Sequence, residues 1–288
     1  MRILVTGASG LLGATLSPFL TAAGYDIVRH GKSMDSDVSC DLTDKGATHA
    51  MLEEARPNMV INLVALTNVD KCEESPHEAY LLNVRTMENL VAGLHGHVDP
   101  FLIQISTDQV YDSTGPSPED KIRLTNTYAL TKYAGELAAA RMPSTILRTN
   151  FFGHSALPGR KSFSDWLLDS LRNGDPITVF SDVVVNPLAL ETLSAMICHV
   201  VERRVVGVFN LGSRGAMSKA DFAFELARVY GLPTQNVRRG SVADKSLRAY
   251  RPRDMSMDCS RFQAAFDVEL PTLQNEIREL KRSLHAVT

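Results

Sequence analysis

The sequence predicts an α/β fold: a doubly wound parallel sheet with a smaller C-terminal lobe. Three observations predict it. Short β-branched or apolar runs alternate with amphipathic stretches, a glycine-rich loop follows the first such run at once, and the alternation becomes mixed beyond residue 150.

Taken in order, residues 3–5 are a fully apolar run and read as the first strand. Residues 11–23 form an apolar-periodic helix that Gly24 ends, and residues 26–29 read as the second strand. A third short strand is expected just before Asp41. Residues 59–63 and 101–106 read as buried strands, separated by a helix over residues 76–94 that opens on a proline, a residue tolerated in a first turn. Residues 125–141 read as a helix and 145–150 as the strand that follows it. After that come a helix over 164–172, a short strand over 177–180, a helix after Pro187 and a strand over 208–211. A helix from Ser218, a strand over 236–239 and a last helix after Pro271 complete the chain. On this pattern residues 1–150 plus 177–217 make the main domain, and residues 151–176 plus 218–288 make the smaller lobe.

Composition sets broad limits. A chain of 288 residues can bury a large core, and a formal charge of -3 carries no basic excess. General affinity for nucleic acid or a membrane surface is therefore not expected. Cys40, Cys72, Cys198 and Cys259 lack paired spacing, which argues against a disulfide framework or a zinc site, and His95-Gly96-His97 has no matching ligand pattern. No metal is expected. The first residues run straight into the glycine loop with no room for a signal peptide, so a cytoplasmic location is expected. A homodimer stays open as an assembly.

The loop Thr6-Gly7-Ala8-Ser9-Gly10-Leu11-Leu12-Gly13 lies between a strand and a helix, the context a Rossmann dinucleotide site requires. Gly7 permits the tight turn, Gly10 lets the backbone approach a pyrophosphate, and Gly13 lets helix and strand pack closely. The candidate cofactor-binding residues are Gly7, Ser9, Gly10, Leu11 and Leu12, where the helix N-terminus offers free N–H groups to an anion. At the end of the second strand, where an acidic residue would select NAD, the chain has Arg29-His30-Gly31-Lys32. Arg29 and Lys32 suit the 2′-phosphate of NADPH, with NADH still open. Asp41 and Leu42 are placed to meet the adenine edge, or else form a helix cap before Lys45.

Tyr128 and Lys132 stand four residues apart, just over one helical turn, so both side chains leave one face. An ammonium so placed favours a phenolate and tunes the phenol for proton transfer. Ser106 and Thr107 end the strand over residues 101–106, where ligands bind in open α/β sheets. A carbonyl held between Thr107 and Tyr128 would be polarised by two hydrogen bonds.

These motifs, with the segment Asn62-Leu63-Val64-Ala65-Leu66-Thr67-Asn68-Val69-Asp70, Ser106-Thr107-Asp108, Asn126 to Glu136, Arg148-Thr149 and Arg251-Pro252, resemble the extended short-chain dehydrogenase/reductases. Within them the chain is similar to the dTDP-4-dehydrorhamnose reductase family, nearly end to end. The resemblance implies that Thr107, Tyr128 and Lys132 are catalytic, with Tyr128 the proton donor and Lys132 binding the nicotinamide ribose while lowering the phenol's pKa. It implies that Ala65, Leu66 and Thr67 line the nicotinamide side, that Asn83 and Ser106 complete the site, and that Asp108 and Phe151 meet the substrate. The implied reaction is reduction of a 4-keto-6-deoxy sugar carried on a nucleoside diphosphate, with NADPH or NADH. Phe151 stands where the family commonly has tryptophan, and Gln109 where related dehydratases need an ionisable acid. Arg248, Arg251 and Arg253 form a late basic cluster, with Arg251 the candidate for a substrate diphosphate and a solvated face the alternative. Two other readings stay open: a cofactor-binding regulator similar to the regulatory subunit of methionine adenosyltransferase, and a nucleotide-sugar epimerase.

Overall fold

The computed structural model describes residues 1–31, 36–157 and 159–285. The first half alternates as expected: β1 (Arg2–Thr6), α1 (Leu11–Ala22), β2 (Asp26–His30), α2 (Lys45–Ala55), β3 (Met59–Asn62), α3 (Val69–Glu74), α4 (Pro76–Tyr80), α5 (Thr86–Leu94), β4 (Phe101–Ile105), α6 (Thr127–Ala139) and β5 (Ser144–Thr149). β3, β4 and β5 are buried along their whole length, because helices cover both faces of the sheet. α1 packs on one face with Leu12, Leu16 and Leu20, and Met51, Leu52, Leu90 and Leu94 of α2 and α5 fill the other.

The second half runs β6 (Phe151–Phe152), α7 (Phe163–Asn173), β7 (Ile177–Phe180), β8 (Val184–Val185), β9 (Leu188–Ala189), α8 (Leu190–Arg203), β10 (Gly207–Leu211), β11 (Met217–Ser218), α9 (Lys219–Tyr230), β12 (Val237–Gly240), α10 (Ser260–Phe266) and α11 (Leu273–His285). β10 joins the central sheet, whose order is β10-β5-β4-β3-β1-β2 with every pair parallel. The strand order reverses at β1, between β2 and β3, so the crevice at the C-terminal ends of these strands is the place for a ligand.

Two expectations are corrected. The strand expected before Asp41 is reduced to one bridge between His30 and Val38, because the amides of Asp37 and Val38 both turn back to the Arg29 carbonyl instead of extending a ladder. Residues 177–180, expected in the main domain, pair as β7 with β12, and Ile177 and Val179 pack in the lobe with Leu226 of α9 and Ile277 of α11. Their one-sided burial explains this, since a strand of the central sheet must be apolar on both faces. Conversely, Phe262 and Phe266 of α10 stack on each other and against Phe209 of β10, which places α10 in the main core.

The helical run expected over 76–94 contains one widened turn, a π-turn at Leu81–Arg85. It brings the backbone of Asn83 against α6, where a Cβ on Gly135 would collide with the Asn83 carbonyl oxygen. Glycine in mid-helix costs about 0.5–1 kcal/mol relative to alanine, and here the close approach of two helical segments requires it.

Candidate active site

The glycine loop has the shape of a phosphate cradle. Gly7 has φ +70°, which favours glycine, and its carbonyl accepts from Gly10 N–H at 2.9 Å. A Cβ on Gly13 would lie 2.6 Å from the Ala8 backbone, so the close seating of α1 on the loop excludes one. A Cβ on Gly10 would meet only the Gly7 carbonyl at 3.1 Å and the Arg160 guanidinium at 3.9 Å, leaving the outer face open. Gly10 caps α1 without a side chain, and the first-turn amides of Leu11 and Leu12 have no acceptor within the helix. A dinucleotide pyrophosphate fits this cradle. Leu12 can offer only its amide, since its side chain lies in the core, and Ser9 packs beside Gly31.

Around the expected adenosine end the picture is mixed. Arg29 is exposed and grips Asp37 through two bonds of 3.0 and 3.1 Å, a pair that a phosphate could displace because exposed ion pairs contribute only about 0–1 kcal/mol. Lys32 lies outside the described residues. Asp41 bonds the Thr43 amide at 2.9 Å. The Leu42 side chain is buried against α2 and α5 and its carbonyl accepts from Asn89 at 2.9 Å, so a contact with an adenine edge would have to come from its backbone amide. The cap of α2 is Asp44, not Asp41.

At the other end of the cleft, Asn126 caps α6 and sets the phase of the helix, so that Tyr128 and Lys132 both turn toward the end of β4. Tyr128 is buried, with the Thr107 hydroxyl near enough to act on its phenol. Burial pushes the phenol's pKa up; the Thr107 hydroxyl pulls it down, and the Asp108 charge adds to the rise. Lys132 donates to the Ile105 carbonyl at 2.6 Å, and burial lowers its pKa to about 8 against the upward pull of Glu136. The influence that opposes the phenol's rise is the Thr107 hydroxyl.

Several expected residues act through others. Asn83 is buried beneath the site: its carbonyl oxygen accepts from Leu66 N–H at 2.8 Å, and its amide donates to Leu66 O at 3.3 Å and Thr131 Oγ1 at 3.0 Å. It ties the Ala65-Leu66-Thr67 loop to α6 and presents no free group to a cofactor. Ser106, expected to meet substrate, donates to Glu136 at 2.5 Å. Glu136 in turn takes Arg148 in a bidentate ion pair at 2.7 and 3.0 Å, and Arg148 also donates to Tyr111 Oη at 2.7 Å. Glu136 stands one turn past Lys132 on the same helical face, and that spacing was the signal available for it.

Asp108, Asn150 and Lys219 lie together beyond the end of β4. Asp108 accepts from Asn150 Nδ2 at 2.7 Å and from Thr107 Oγ1 at 3.3 Å. A cavity of about 140 Å³ opens beside them, lined by Asn150, Phe151, Phe163, Pro187, Lys219 and Phe222. The basic cluster does not form a free clamp. Arg251 is held by Asp70 at 2.8 and 3.1 Å, Arg248 by Glu74 at 3.2 Å and Arg253 by Asp182 at 3.8 Å, so each guanidinium already has a carboxylate partner.

Burial pushes the Asp108 carboxyl up to about 6, against the bond from Asn150 and the charge of Lys219. An acid whose folded pKa lies above its unfolded value costs stability when ionised. That cost is full above the folded pKa and disappears as pH falls below the unfolded one. Asp108→Asn should therefore stabilise the protein at about pH 8, by roughly 3 kcal/mol at 1.36 kcal/mol per unit, and the gain should vanish near pH 4. Thermal melts of both proteins at the two pH values check this, and coincident melts at the higher pH would refute a buried carboxylate.

A glycine cradle at the switch point, with a tyrosine, threonine and lysine converging on the next strand end, defines an NAD(P)-dependent oxidoreductase of the extended short-chain dehydrogenase/reductase class. The family model described as RmlD substrate binding domain matches residues 1–285, and the chain belongs to that family. The chain is 28% identical to the Haloferax volcanii protein named "Probable low-salt glycan biosynthesis reductase", over 98% of this chain and 97% of that one. A crystal structure of a dTDP-4-dehydrorhamnose reductase from Clostridium acetobutylicum superposes with a TM-score of 0.87 at 26% identity, covering 99% of this chain and all of the other. The beta subunit of methionine adenosyltransferase 2 from Pongo abelii is 27% identical over 91% of this chain and 81% of that protein. Among the described residues no helix is long and apolar enough to cross a membrane.

Proposed function

We propose that the protein reduces the 4-keto group of a nucleoside-diphosphate 6-deoxy sugar, with NADPH preferred. The observation that carries this is that the Tyr128 phenol and Thr107 come together at the end of β4, near enough for the threonine hydroxyl to pull the phenol's pKa down, next to a cavity with Phe151 in its wall. The nicotinamide, when bound, supplies hydride. Gly7, Gly10 and the first turn of α1 would hold its pyrophosphate, and Arg29 gives the NADPH preference.

The chain's own residues do the rest. Thr107 and Tyr128 hold the ketone oxygen by two hydrogen bonds, and Tyr128 gives up its proton as negative charge develops there. Because burial keeps the phenol protonated at neutral pH, it is ready as a donor. Lys132, fixed to the Ile105 carbonyl, carries a positive charge at the foot of the same cleft, and it can reach a ribose hydroxyl by leaving that carbonyl. Gln109 cannot ionise, so the second acid and base that elimination of water needs are missing from this position, which favours reduction over dehydration.

The test is loss of NADPH absorbance with a panel of dTDP-, UDP- and GDP-linked 4-keto-6-deoxy sugars. Oxidation with at least one is the expected result. Tight NADPH binding with steady absorbance across the panel would overturn the reductase reading in favour of a regulator, and a cofactor retained through purification without net oxidation would favour an epimerase.

A further inference from the structure

The loop between β6 and α7 is clasped at its base and reaches back to the glycine loop. At the base, the Ser162 and Ser164 hydroxyls donate to the Gly153 carbonyl at 2.5 and 3.1 Å. Asp165 accepts from the amides of Ser155 and Ser162, each at 3.0 Å, and bonds His154 Nδ1 at 2.9 Å. A loop whose two ends are joined in this way has a fixed direction. Its two basic side chains part: Lys161 turns to α7 and pairs with Asp169 at 2.7 Å, whereas Arg160 extends to the glycine loop. There its Nη1 lies 3.9 Å from the position a Cβ on Gly10 would take, on the face that glycine leaves open.

Two positive features meet on that face. α1 begins beside Gly10 with first-turn amides that have no acceptor within the helix and no acidic residue to answer them, and Arg160 brings a full charge to the same place. Among the described residues no carboxylate pairs with Arg160, whereas Arg29, Arg248, Arg251 and Arg253 around the cleft each have one. A guanidinium and a helix N-terminus repel each other weakly, so their approach is favourable only where one anion joins them.

Resting on the reading of the glycine loop as the cofactor's cradle, we propose that Arg160 is a cofactor-binding residue whose guanidinium holds the dinucleotide pyrophosphate from the side opposite the α1 amides. Its planar fork can take two phosphate oxygens at once. The cofactor is then held by two separate parts of the chain: the first βα turn, and a loop that runs straight into the cavity wall at Phe163.

The test is calorimetric titration of NADPH, 2′-phospho-ADP-ribose and adenosine 2′-monophosphate into the full chain and into Arg160→Gln. The first two ligands carry the pyrophosphate and the third does not. Arg160→Gln should weaken both pyrophosphate ligands by about 10-fold, the low end for a bond between charged groups because Arg160 is exposed. It should also flatten the salt dependence of their binding. Adenosine 2′-monophosphate should bind both proteins alike, and Arg160→Lys should recover part of the loss. Equal NADPH affinity in wild type and Arg160→Gln overturns the proposal. An equal loss for all three ligands overturns it by putting Arg160 at the 2′-phosphate, and a loss confined to dTDP or UDP, titrated in parallel, overturns it by putting Arg160 at the substrate. None of these measurements uses turnover. NADPH held through Arg160 in a protein that reduces no keto sugar would remove the reductase reading alone, whereas equal affinities in an active reductase would remove this proposal alone.

Discussion

Replacing Tyr128 with phenylalanine should lower turnover by about 10²–10⁴-fold, the range for loss of a general acid, with little change in NADPH affinity. The substitution removes one oxygen and keeps the ring, which packs with Val69, Cys72 and Ala249, so the fold of the site should persist. What disappears is the hydroxyl beside Thr107, and with it, on the proposed reading, both the proton and half of the carbonyl's hydrogen bonding. Lys132 is assigned to the cofactor's ribose on this reading and rests on the Ile105 carbonyl, so it does not take over the proton transfer. Steady-state rates beside NADPH titrations separate the two effects. Undiminished turnover would show that another group donates the proton, whereas lost NADPH binding would show that the ring mainly shapes the cofactor site.

The second large effect concerns stability. Arg148 and Glu136 are each 2% exposed and meet at 2.7 Å, with Ser106 and Tyr111 bonded to the pair. Removing one partner leaves the other's charge buried and uncompensated, so Arg148→Met should destabilise by about 3–5 kcal/mol in denaturant unfolding. Adding Glu136→Leu should recover much of that loss, since an apolar replacement of both partners is often close to neutral. A single substitution costing less than about 1 kcal/mol would mean that water reaches the carboxylate and that the pair is not sealed. The double variant also has a functional side: it removes the carboxylate that Ser106 bonds and that raises the pKa of Lys132.

Much of the main domain was legible in the sequence, because parallel strands covered on both faces appear as unbroken apolar runs such as Phe101-Leu102-Ile103, and because Gly7 and Gly13 are required by backbone geometry. The helix that carries Tyr128 and Lys132 was legible in the pattern of residues 125–141, while the pairing of the two gained its meaning from the strand end before it. The partners of charged groups were not. Nothing local links Arg251 to Asp70, 181 positions away, or Arg148 to Tyr111, since such pairs are brought together by the order of the strands. Lys219 went unnoticed for the same reason: at the start of an amphipathic helix a lysine reads as solvated, and only the packing of α9 against Phe163 encloses it. The division of the chain was partly misread because β7 has just two inward-facing positions, too few to show which sheet it would join.

The contact between Gly135 and Asn83 has a consequence for how the protein can be altered. Substituting alanine for glycine within a helix is ordinarily a safe way to stiffen a protein, yet here it would wedge α6 away from the π-turn. That turn holds Leu66 through Asn83, so the arm bearing Tyr128 and the loop around Leu66 form one mechanical piece, and an engineer cannot tighten the first without shifting the second.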